Sequence, residues 1–273
     1  MKFYFSIVSH LHHDIICRLD TLRRLAINND VVVICRDNIK TEKLKNYCSK
    51  YKIEYVYNSI EYGFSRNNNL NFWYAKLLGM QSDDYFVLLN PDVFIDTDMI
   101  AKFIENLMAS KLPLAAPNLY LDSKRTKYDD NLRLYPKLTN FIKNYLFNDR
   151  STVVNKTEPH KISGDYWASG AFLAVTAKLY QKLDGFDESY FLYCEDVDFC
   201  RRAYHLGEKV AFLADIEATH YRHRCSQKLF SREFFHHVKS TLLYTTAKRP
   251  WRRVKSCLHK PVKVTKKSKR YRA

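Results

Sequence analysis

Two short acidic clusters contain the residues of this chain that are best suited to chemistry. The first, Leu88-Leu89-Asn90-Pro91-Asp92, ends an apolar run with a carboxylate. Because open α/β sheets bind ligands at the carboxyl ends of their buried strands, Asp92 is suited to hold a divalent cation. The second, Tyr193-Cys194-Glu195-Asp196-Val197-Asp198, opens a predicted helix. One carboxylate to hold a metal and another to remove a proton are the minimum equipment for displacing a phosphate-linked leaving group.

Each cluster also has a purely structural interpretation. Pro91 cannot donate to a sheet ladder, so the strand must end there, and Asp92 is then equally suited to capping a turn. Acids in the first turn of a helix complement the helix macrodipole, which accounts for the second cluster without any catalytic role. Successive helical residues differ by roughly 100° around the axis, so Glu195 and Asp198 share a face while Asp196 points elsewhere.

Two further segments contain candidate site residues. His220 follows a predicted strand and could act as a metal ligand or a phosphate contact, although surface histidines without a role are common. The segment Trp167-Ala168-Ser169-Gly170-Ala171 combines an indole with small residues, so the ring could lie against a sugar; ordinary core packing of the tryptophan is the alternative. The usual dinucleotide and P-loop fingerprints are absent from the sequence, so a bound nucleotide must be held in another way.

The charge of the chain is concentrated at its C-terminal end. The net charge is +16, but Lys248 to Ala273 contain twelve Lys or Arg and no Asp or Glu. The remaining 33 basic and 29 acidic residues give the body a net charge of only +4. Such a tail fits attraction to anionic lipid headgroups or to nucleic acid phosphates, and a solvated, disordered terminus is the simpler alternative.

The composition indicates a globular cytoplasmic protein. The 273 residues are 46% hydrophobic, which suits one α/β domain with a real core, and no apolar run is long enough to span a membrane. The N-terminal apolar run is too short for a secretory signal and is predicted to be the first strand. Seven cysteines without a Cys-x-x-Cys pair favour reduced thiols over disulfides or structural zinc.

Strand and helix patterns alternate in the first half of the chain. Residues 3–8 and 31–35 are β-branched or aromatic runs, and residues 15–26 between them have helical spacing, which predicts a β-α-β unit. Residues 85–89 predict another buried strand. A helix then begins at an Asp96 or Thr97 cap and ends near Lys111.

The second half begins with a long polar excursion over residues 122–162, which either holds acceptor contacts or is simply mobile. Regular patterns return with a strand at 172–176 and a helix at about 177–183. The helix opened by the second acidic cluster is predicted to run to about His205, followed by a strand at 209–214. We therefore expect a mostly parallel central sheet covered by helices on both faces.

The ordered set of motifs resembles the family 2 inverting glycosyltransferases, and among them the bacterial rhamnosyltransferases that build O-antigen or cell-wall linker glycans. The resemblance covers roughly residues 3–249. The motifs are Ile34-Cys35-Arg36-Asp37-Asn38, Tyr62-Gly63-Phe64-Ser65-Arg66-Asn67-Asn68-Asn69, Leu89-Asn90-Pro91-Asp92, Trp167-Ala168-Ser169-Gly170-Ala171, Gly185-Phe186-Asp187-Glu188 and Tyr193-Cys194-Glu195-Asp196-Val197-Asp198.

The resemblance implies a GT-A, Rossmann-like fold in one domain over residues 1–247, with a nucleotide-binding half at about 1–112, an acceptor-side half at about 113–247, and a basic tail at 248–273. It also implies a role for each of several residues. The expected donor contacts are Ser9, Asp37, Arg66, Asn68 and Asn90, and the expected metal ligands are Asp92 and His220. The expected catalytic base is Asp196, with Glu195 a less favoured substitute. The expected acceptor contacts are Trp167, Ser169 and Gly170.

The same resemblance implies the reaction. We expect inverting transfer of a sugar with a bound Mg²⁺ or Mn²⁺, dTDP-L-rhamnose being the favoured donor and other dTDP- or UDP-sugars the alternatives. The expected acceptor is a polyprenyl-diphosphate-linked glycan at the cytoplasmic face of the inner membrane, to which the basic tail would bind. We expect no nucleic acid partner. The rival hypotheses are a basic nucleic-acid-binding protein and a glycosyltransferase-like domain that binds without catalysing.

Overall fold

The computed structural model of the chain describes residues 1–162, 164–222, 232–246 and 253–259. Ten strands lie within these residues. They are β1 (Phe3–Ser9), β2 (Val31–Asp37), β3 (Glu54–Tyr57), β4 (Tyr85–Leu89), β5 (Val93–Phe94), β6 (Leu114–Tyr120), β7 (Leu132–Leu134), β8 (Tyr166–Ala168), β9 (Phe172–Thr176) and β10 (Ala211–His220).

The same ranges contain nine α-helices and two short 3-10 turns, Pro159–Lys161 and Cys257–His259. Within the described ranges, none of the helices combines the length and the apolarity that crossing a membrane requires. The helices are α1 (His13–Leu19), α2 (Thr21–Ala26), α3 (Glu42–Lys50), α4 (Phe64–Leu77), α5 (Thr97–Ser110), α6 (Leu138–Phe147), α7 (Ala177–Lys182), α8 (Glu195–His205) and α9 (Arg232–Thr246).

Eight of the strands form one sheet in the order β3-β2-β1-β4-β9-β6-β10-β5. Strands β1 to β4 are parallel to one another, and β6 is parallel to β10. Strand β9 is inserted antiparallel between β4 and β6, and β5 pairs antiparallel with the end of β10. The prediction of a mostly parallel sheet in an α/β fold is therefore confirmed, and β7 and β8 form a separate two-stranded ribbon.

Both faces of the sheet are buried at its centre, which explains why the central strands β1, β4 and β9 are apolar along most of their length. On one face, Phe3, Phe5 and Ile7 of β1 belong to a core with α1, α2, α3 and α5. On the other face, Tyr4 belongs to a core with α4, α7 and α8. Full burial of each large apolar side chain contributes about 1.5–3 kcal/mol, so the alternation along β1 fixes which helices cover which face.

Most predicted elements lie where the sequence pattern put them, but the first helix is interrupted. Residues 15–26 fall on α1 and α2, which meet at Asp20 in a left-handed conformation with φ of 57°. Aspartate tolerates this conformation better than most residues, and its N–H still bonds to the carbonyl of Ile16. By contrast, β4 matches its prediction, and α5 begins after Asp96 and ends at Ser110, one residue before Lys111.

The polar excursion over residues 122–162 contains regular structure that its weak periodicity did not predict. It includes β7, α6 and the turn Pro159–Lys161. Lys156 anchors it: the side chain is buried, and its Nζ donates to the Leu119 carbonyl at 2.9 Å and to Asn131 Oδ1 at 2.7 Å. Burial lowers the pKa of this ammonium to about 8.

The polar run that contains the expected donor contacts Arg66 and Asn68 lies at the start of α4. Asn67, Asn68, Asn69 and Asn71 are all buried there. Asn69 Oδ1 accepts hydrogen bonds from the Tyr180 hydroxyl at 2.8 Å and from the Phe186 N–H at 2.9 Å, while its Nδ2 donates to the Phe186 carbonyl at 2.9 Å. This asparagine therefore joins α4 to α7 and to the turn before α8.

Part of the predicted basic tail packs against the domain. The Lys255 carbonyl accepts a hydrogen bond from the Glu188 N–H at 2.7 Å, and the Cys257 N–H donates to Glu188 Oε1 at 2.6 Å. Asn69 Nδ2 also lies 3.3 Å from Ser256 Oγ. The rest of that predicted tail, residues 248–252 and 260–273, lies outside the described residues.

We predict that Asn69→Ala lowers the free energy of unfolding by about 2–4 kcal/mol, because the Tyr180 hydroxyl and both backbone groups of Phe186 lose their buried partner. Denaturant unfolding of the purified variant measures the change. Asn46→Ala, at an exposed position of α3, is the matched control and is expected to change stability by at most about 0.5 kcal/mol. Equal stabilities of the two variants would contradict the prediction.

Candidate active site

A cleft lies along the carboxyl ends of the parallel strands. It consists of two adjoining cavities of about 1000 and 530 Å³. Residues that directly follow β1, β2 and β4, namely His10, Asn38 and Asn90, line the first cavity, as expected for the ligand-binding edge of an α/β sheet. Both cavities are lined by Phe64, Asn90, Asp130, Arg133, Leu192, Tyr193, His220 and Arg222.

Asp92 and His220 meet in the first cavity because the ends of β4 and β10 are tied together. The short strand β5 follows Asp92 directly, and its Val93 pairs with His220. The Tyr221 N–H also donates to the Asp92 carbonyl at 3.0 Å. As a result, His220 Nε2 lies 3.3 Å from Asp92 Oδ1, and both side chains are largely buried.

The other ring nitrogen of His220 is held by a residue that the sequence analysis did not single out. His220 Nδ1 lies 2.6 Å from Asp129 Oδ2, and Arg222 pairs with the same carboxylate. Burial alone would lower the pKa of His220, but its hydrogen bonds to Asp129 and Asp92 raise it to about 9. Burial would likewise raise the pKa of Asp129, but His220 and Arg222 lower it, so this carboxylate is ionised.

The donor set at Asp92 and His220 fits a metal that shares its ligands with a substrate, provided that the metal displaces the Nε2 proton that His220 directs toward Asp92. Within the described ranges, no group of three or more histidine, cysteine or carboxylate side chains is arranged to hold a metal alone. Mg²⁺ and similar ions are commonly bound by one or two protein ligands and the phosphates of the substrate. Asp129 would keep the His220 ring oriented, as carboxylates do for metal-bound histidines.

Asp196 lines the second cavity from the first turn of α8. Its Oδ2 accepts a hydrogen bond from the Gly170 N–H at 3.1 Å, and its Oδ1 accepts one from the Val197 N–H at 2.9 Å. The side chain is half-buried, and burial raises its pKa while those two N–H donors oppose the rise. A carboxylate with a raised pKa is a stronger proton acceptor, which suits a general base.

The neighbouring acids of α8 have different environments. Asp198 is buried and forms an ion pair with Arg202, whose Nε lies 2.8 Å from Asp198 Oδ2, so it has a structural partner. Glu195 also lines the second cavity, but it is only 5% exposed and its Oε2 has no hydrogen-bond partner. Burial, and then the charge of Asp196, raise the pKa of Glu195 well above its ordinary value.

The three predicted acceptor residues, Trp167, Ser169 and Gly170, all line the second cavity. Trp167 Nε1 donates to the Leu134 carbonyl at 3.2 Å, which holds the indole against the β7–β8 ribbon. Gly170 lies close to the Phe64 ring, since a Cβ added there would come within 3.3 Å of it. A side chain at this position would therefore crowd the wall of the cavity next to Asp196.

Of the five predicted donor contacts, Asn90 lines both cavities, whereas the other four do not line either. Ser9 is buried, and its Oγ accepts a hydrogen bond from the His12 N–H. Asp37 is buried and caps the start of α3 through Thr41, although its Oδ1 has no partner.

Arg66 and Asn68 lie elsewhere because they belong to α4. The Arg66 guanidinium pairs with Glu188 at 3.4 Å, and the Asn68 side chain bonds to Ser6 Oγ at 2.7 Å inside the protein. In their place, Asn38, Tyr62 and Asn67 line the first cavity.

A network of arginine and aspartate side chains lies between the cavities and was not predicted from the sequence. Asp130 is buried and pairs with Arg133 and Arg150, and Arg133 lines both cavities. The doublet Asp129-Asp130 was the available signal, since buried acids require partners, but it lies in the excursion whose pattern predicted no element.

Comparison with known proteins identifies the class. The rhamnosyltransferase WbbL of Escherichia coli (strain K12) is 31% identical over 249 residues, which are 90% of this chain and 93% of that protein. The N-acetylglucosaminyl-diphospho-decaprenol L-rhamnosyltransferase of Mycobacterium tuberculosis (strain CDC 1551 / Oshkosh) is 31% identical over 78 residues, 29% of this chain and 25% of that protein. No family model matches the chain.

Among solved structures, the mannosyltransferase PcManGT from Pyrobaculum calidifontis in complex with GDP-Man and Mn²⁺ has a TM-score of 0.54 at 11% identity. The match covers 82% of this chain and 58% of that protein, and it shows a shared GT-A fold. The fold is therefore that of the GT-A glycosyltransferases. The chain belongs to the family 2 glycosyltransferases, the family of the rhamnosyltransferase WbbL.

We predict that Glu195→Gln stabilises the protein increasingly as the pH rises. The folded-state pKa of Glu195 lies above its ordinary value of 4.5, so its contribution to stability is fully present below pH 4.5 and is lost as the pH rises through the raised pKa. Glutamine does not titrate and keeps the shape. Melting temperatures measured across the range from acid to mildly alkaline pH should therefore diverge from those of the wild type.

The matched control is Glu105→Gln at an exposed position of α5, where the carboxylate stays hydrated on folding. Its melting temperature should track the wild type at every pH. If Glu195→Gln behaves in the same way as this control, the buried carboxyl group is not held in its neutral form.

Proposed function

We propose that this glycosyltransferase moves L-rhamnose from dTDP-L-rhamnose to a glycan linked to polyprenyl diphosphate, with inversion at the anomeric carbon, in the synthesis of a bacterial surface polysaccharide such as O-antigen. Two relatives are named as rhamnosyltransferases, and the acceptor in the name of the mycobacterial one is a diphospho-decaprenol. Another dTDP- or UDP-sugar is the alternative donor. Because a polyprenyl acceptor resides in a membrane, we assign the reaction to the cytoplasmic membrane face.

One observation carries the proposal: the Asp92–His220 pair and Asp196 open into adjoining cavities that share a wall. A donor bound with its diphosphate at Asp92 would have its sugar directed toward the second cavity. An acceptor in the second cavity would then present its hydroxyl to the sugar from the side opposite the leaving group. Attack from that side inverts the configuration of the reacting carbon.

Asp92 and His220 are the residues suited to hold the divalent metal, and the Mn²⁺ beside GDP-Man in the Pyrobaculum structure supports this assignment by analogy. When bound, Mg²⁺ or Mn²⁺ offsets the charge that develops on the departing nucleoside diphosphate. The Asp129 carboxylate fixes the His220 ring, so that Nε2 is the nitrogen directed toward Asp92.

Asp196 is suited to remove the proton from the attacking hydroxyl. Gly170 and Val197 hold its two oxygens in place through backbone N–H groups, so the carboxylate does not need to reorganise during the reaction. The indole of Trp167 in the same cavity offers a flat surface for the acceptor sugar. Glu195 is less suited to the role because it is almost fully buried and one of its oxygens has no hydrogen-bond donor, so its charged form is less well stabilised than that of Asp196.

We predict that Asp196→Asn lowers the turnover number by about 10²–10⁴-fold, the usual contribution of a positioned general base. Stabilisation by the donor nucleotide should persist, since the variant keeps the shape of the side chain. The measurement is transfer of labelled sugar to a lipid-linked acceptor under saturating donor. Glu195→Gln serves as the matched control in the same turn of α8, and its turnover should stay within about threefold of the wild type. Near-normal turnover of Asp196→Asn would remove this residue from the mechanism.

We predict that dTDP-L-rhamnose raises the melting temperature by several degrees in the presence of Mn²⁺ or Mg²⁺, and more than UDP-sugars do, because a ligand that binds only the folded state stabilises it. Asp92→Asn should abolish the metal-dependent part of the rise. Asp215→Asn, at an exposed position of β10, should leave it unchanged. Greater stabilisation by a different nucleotide sugar would transfer the donor assignment to that sugar.

A further inference from the structure

Helix α9 exposes three of its large apolar side chains in one row. Phe235, Val238 and Leu242 are 59%, 39% and 50% exposed. Their spacing of three and four residues puts them on one face of the helix, together with the exposed Lys239. We call these four residues the α9 stripe.

The opposite face of α9 is polar and buried, which is the reverse of an ordinary surface helix. Ser240 Oγ donates to the Leu192 carbonyl at 2.8 Å, and Thr241 is 7% exposed. The Tyr244 hydroxyl accepts a hydrogen bond from Arg201 Nη1 at 3.2 Å. A helix that buries hydroxyl groups and exposes three large apolar side chains in one row is built to have that row covered by a partner.

The charge around the stripe indicates what covers it. From Phe234 to the end of the chain the sequence contains thirteen Lys or Arg and no Asp or Glu, and Lys248-Arg249 follow α9 almost directly. Exposed apolar side chains beside Lys239, on a helix that a strongly basic sequence follows, match the interface of an anionic membrane, where apolar side chains insert and basic ones attract lipid headgroups. A second copy of the same face would bring like charges together.

The position of α9 relates this surface to the cleft. His236 lines the first cavity, where its ring stacks on Phe191 at 4.5 Å, and His237 lines the second cavity. The same helix therefore borders both cavities on one side and carries the stripe on another.

We propose that the α9 stripe docks the enzyme onto an anionic phospholipid surface. The docked helix presents the second cavity to acceptors embedded in that surface. This inference deepens the proposed function, because a lipid-linked acceptor has to be reached at a membrane. Binding itself requires neither donor nor acceptor.

The test uses the full chain and vesicles of phosphatidylcholine with roughly one third phosphatidylglycerol, compared with pure phosphatidylcholine. The wild type should float with the anionic vesicles, and added salt should weaken this binding. The double variant Phe235→Ser/Leu242→Ser should lose about tenfold or more in partition coefficient. Lys239→Glu, which does not touch the packing of the helix, should weaken binding to anionic vesicles specifically.

The matched control is Ile27→Ser/Leu77→Ser, which removes two apolar side chains that are 63% and 54% exposed at the C-terminal ends of α2 and α4, and it should bind like the wild type. Wild-type binding by the stripe double variant would overturn the proposal, since the basic C-terminal residues would then suffice. The proposal would also be overturned if the wild type does not bind vesicles but light scattering shows a molar mass above that of one chain. The stripe would then be an interface between copies.

Stabilisation by dTDP-L-rhamnose, measured on the same samples, separates this proposal from the proposed function. A stripe variant that keeps donor stabilisation but loses the vesicles supports the docking surface. A wild type that binds vesicles but no nucleotide sugar counts against the enzymatic assignment alone.

Discussion

The pairing of β5 with the end of β10 is the contact on which the site depends. It joins Val93, directly after Asp92, to His220, although the two lie far apart in the chain. The Asp92 carbonyl and the Tyr221 N–H close the same connection. Side chains that would bind the donor are therefore fixed by backbone hydrogen bonds at the edge of a sheet, which positions them more rigidly than a loop would.

Buried polar side chains connect parts of the chain that the sheet does not join. Asn69, Lys156 and Asp129 each lie inside the protein. There, an unpaired polar group destabilises the fold by more than a hydrogen-bonded one stabilises it. Each one is satisfied by groups from a different part of the chain: Phe186 for Asn69, the Leu119 carbonyl for Lys156 and His220 for Asp129. Such bonds are formed together only in the native arrangement, so they specify that arrangement as well as stabilise it.

Local signals in the sequence predicted much of the sheet and its helices. Strand β4, helix α5 with its Asp96 cap, and the acidic start of α8 follow from runs, periods and caps that lie within a few residues of one another. The antiparallel insertion of β9 between β4 and β6 has no such local signal, because strand order is decided by packing across the whole chain.

In the candidate site too, residues in short motifs were predicted, whereas contacts between distant parts of the chain were not. Asp92, His220 and Asp196 occur in short motifs and do line the cleft. The resemblance implied donor contacts at Arg66 and Asn68, yet both lie on α4, where Arg66 pairs with Glu188 and Asn68 bonds to Ser6 inside the protein. The role of Asp129 could not be predicted from the sequence, because only the folded chain brings it next to His220.

The segment between β6 and β9 leaves the sheet after β6 and returns to it beside the same strand. Asn131 within it bonds to the Pro117 carbonyl through its side chain and to Ser169 through its backbone, and Lys156 ties its far end to Leu119. Changes in the length of this segment that spare these anchors and Asp129 therefore leave the strand order and the Asp92 edge intact. In the proposed function, this allows the acceptor side to diverge, or to be exchanged in a chimera, while the donor side stays the same.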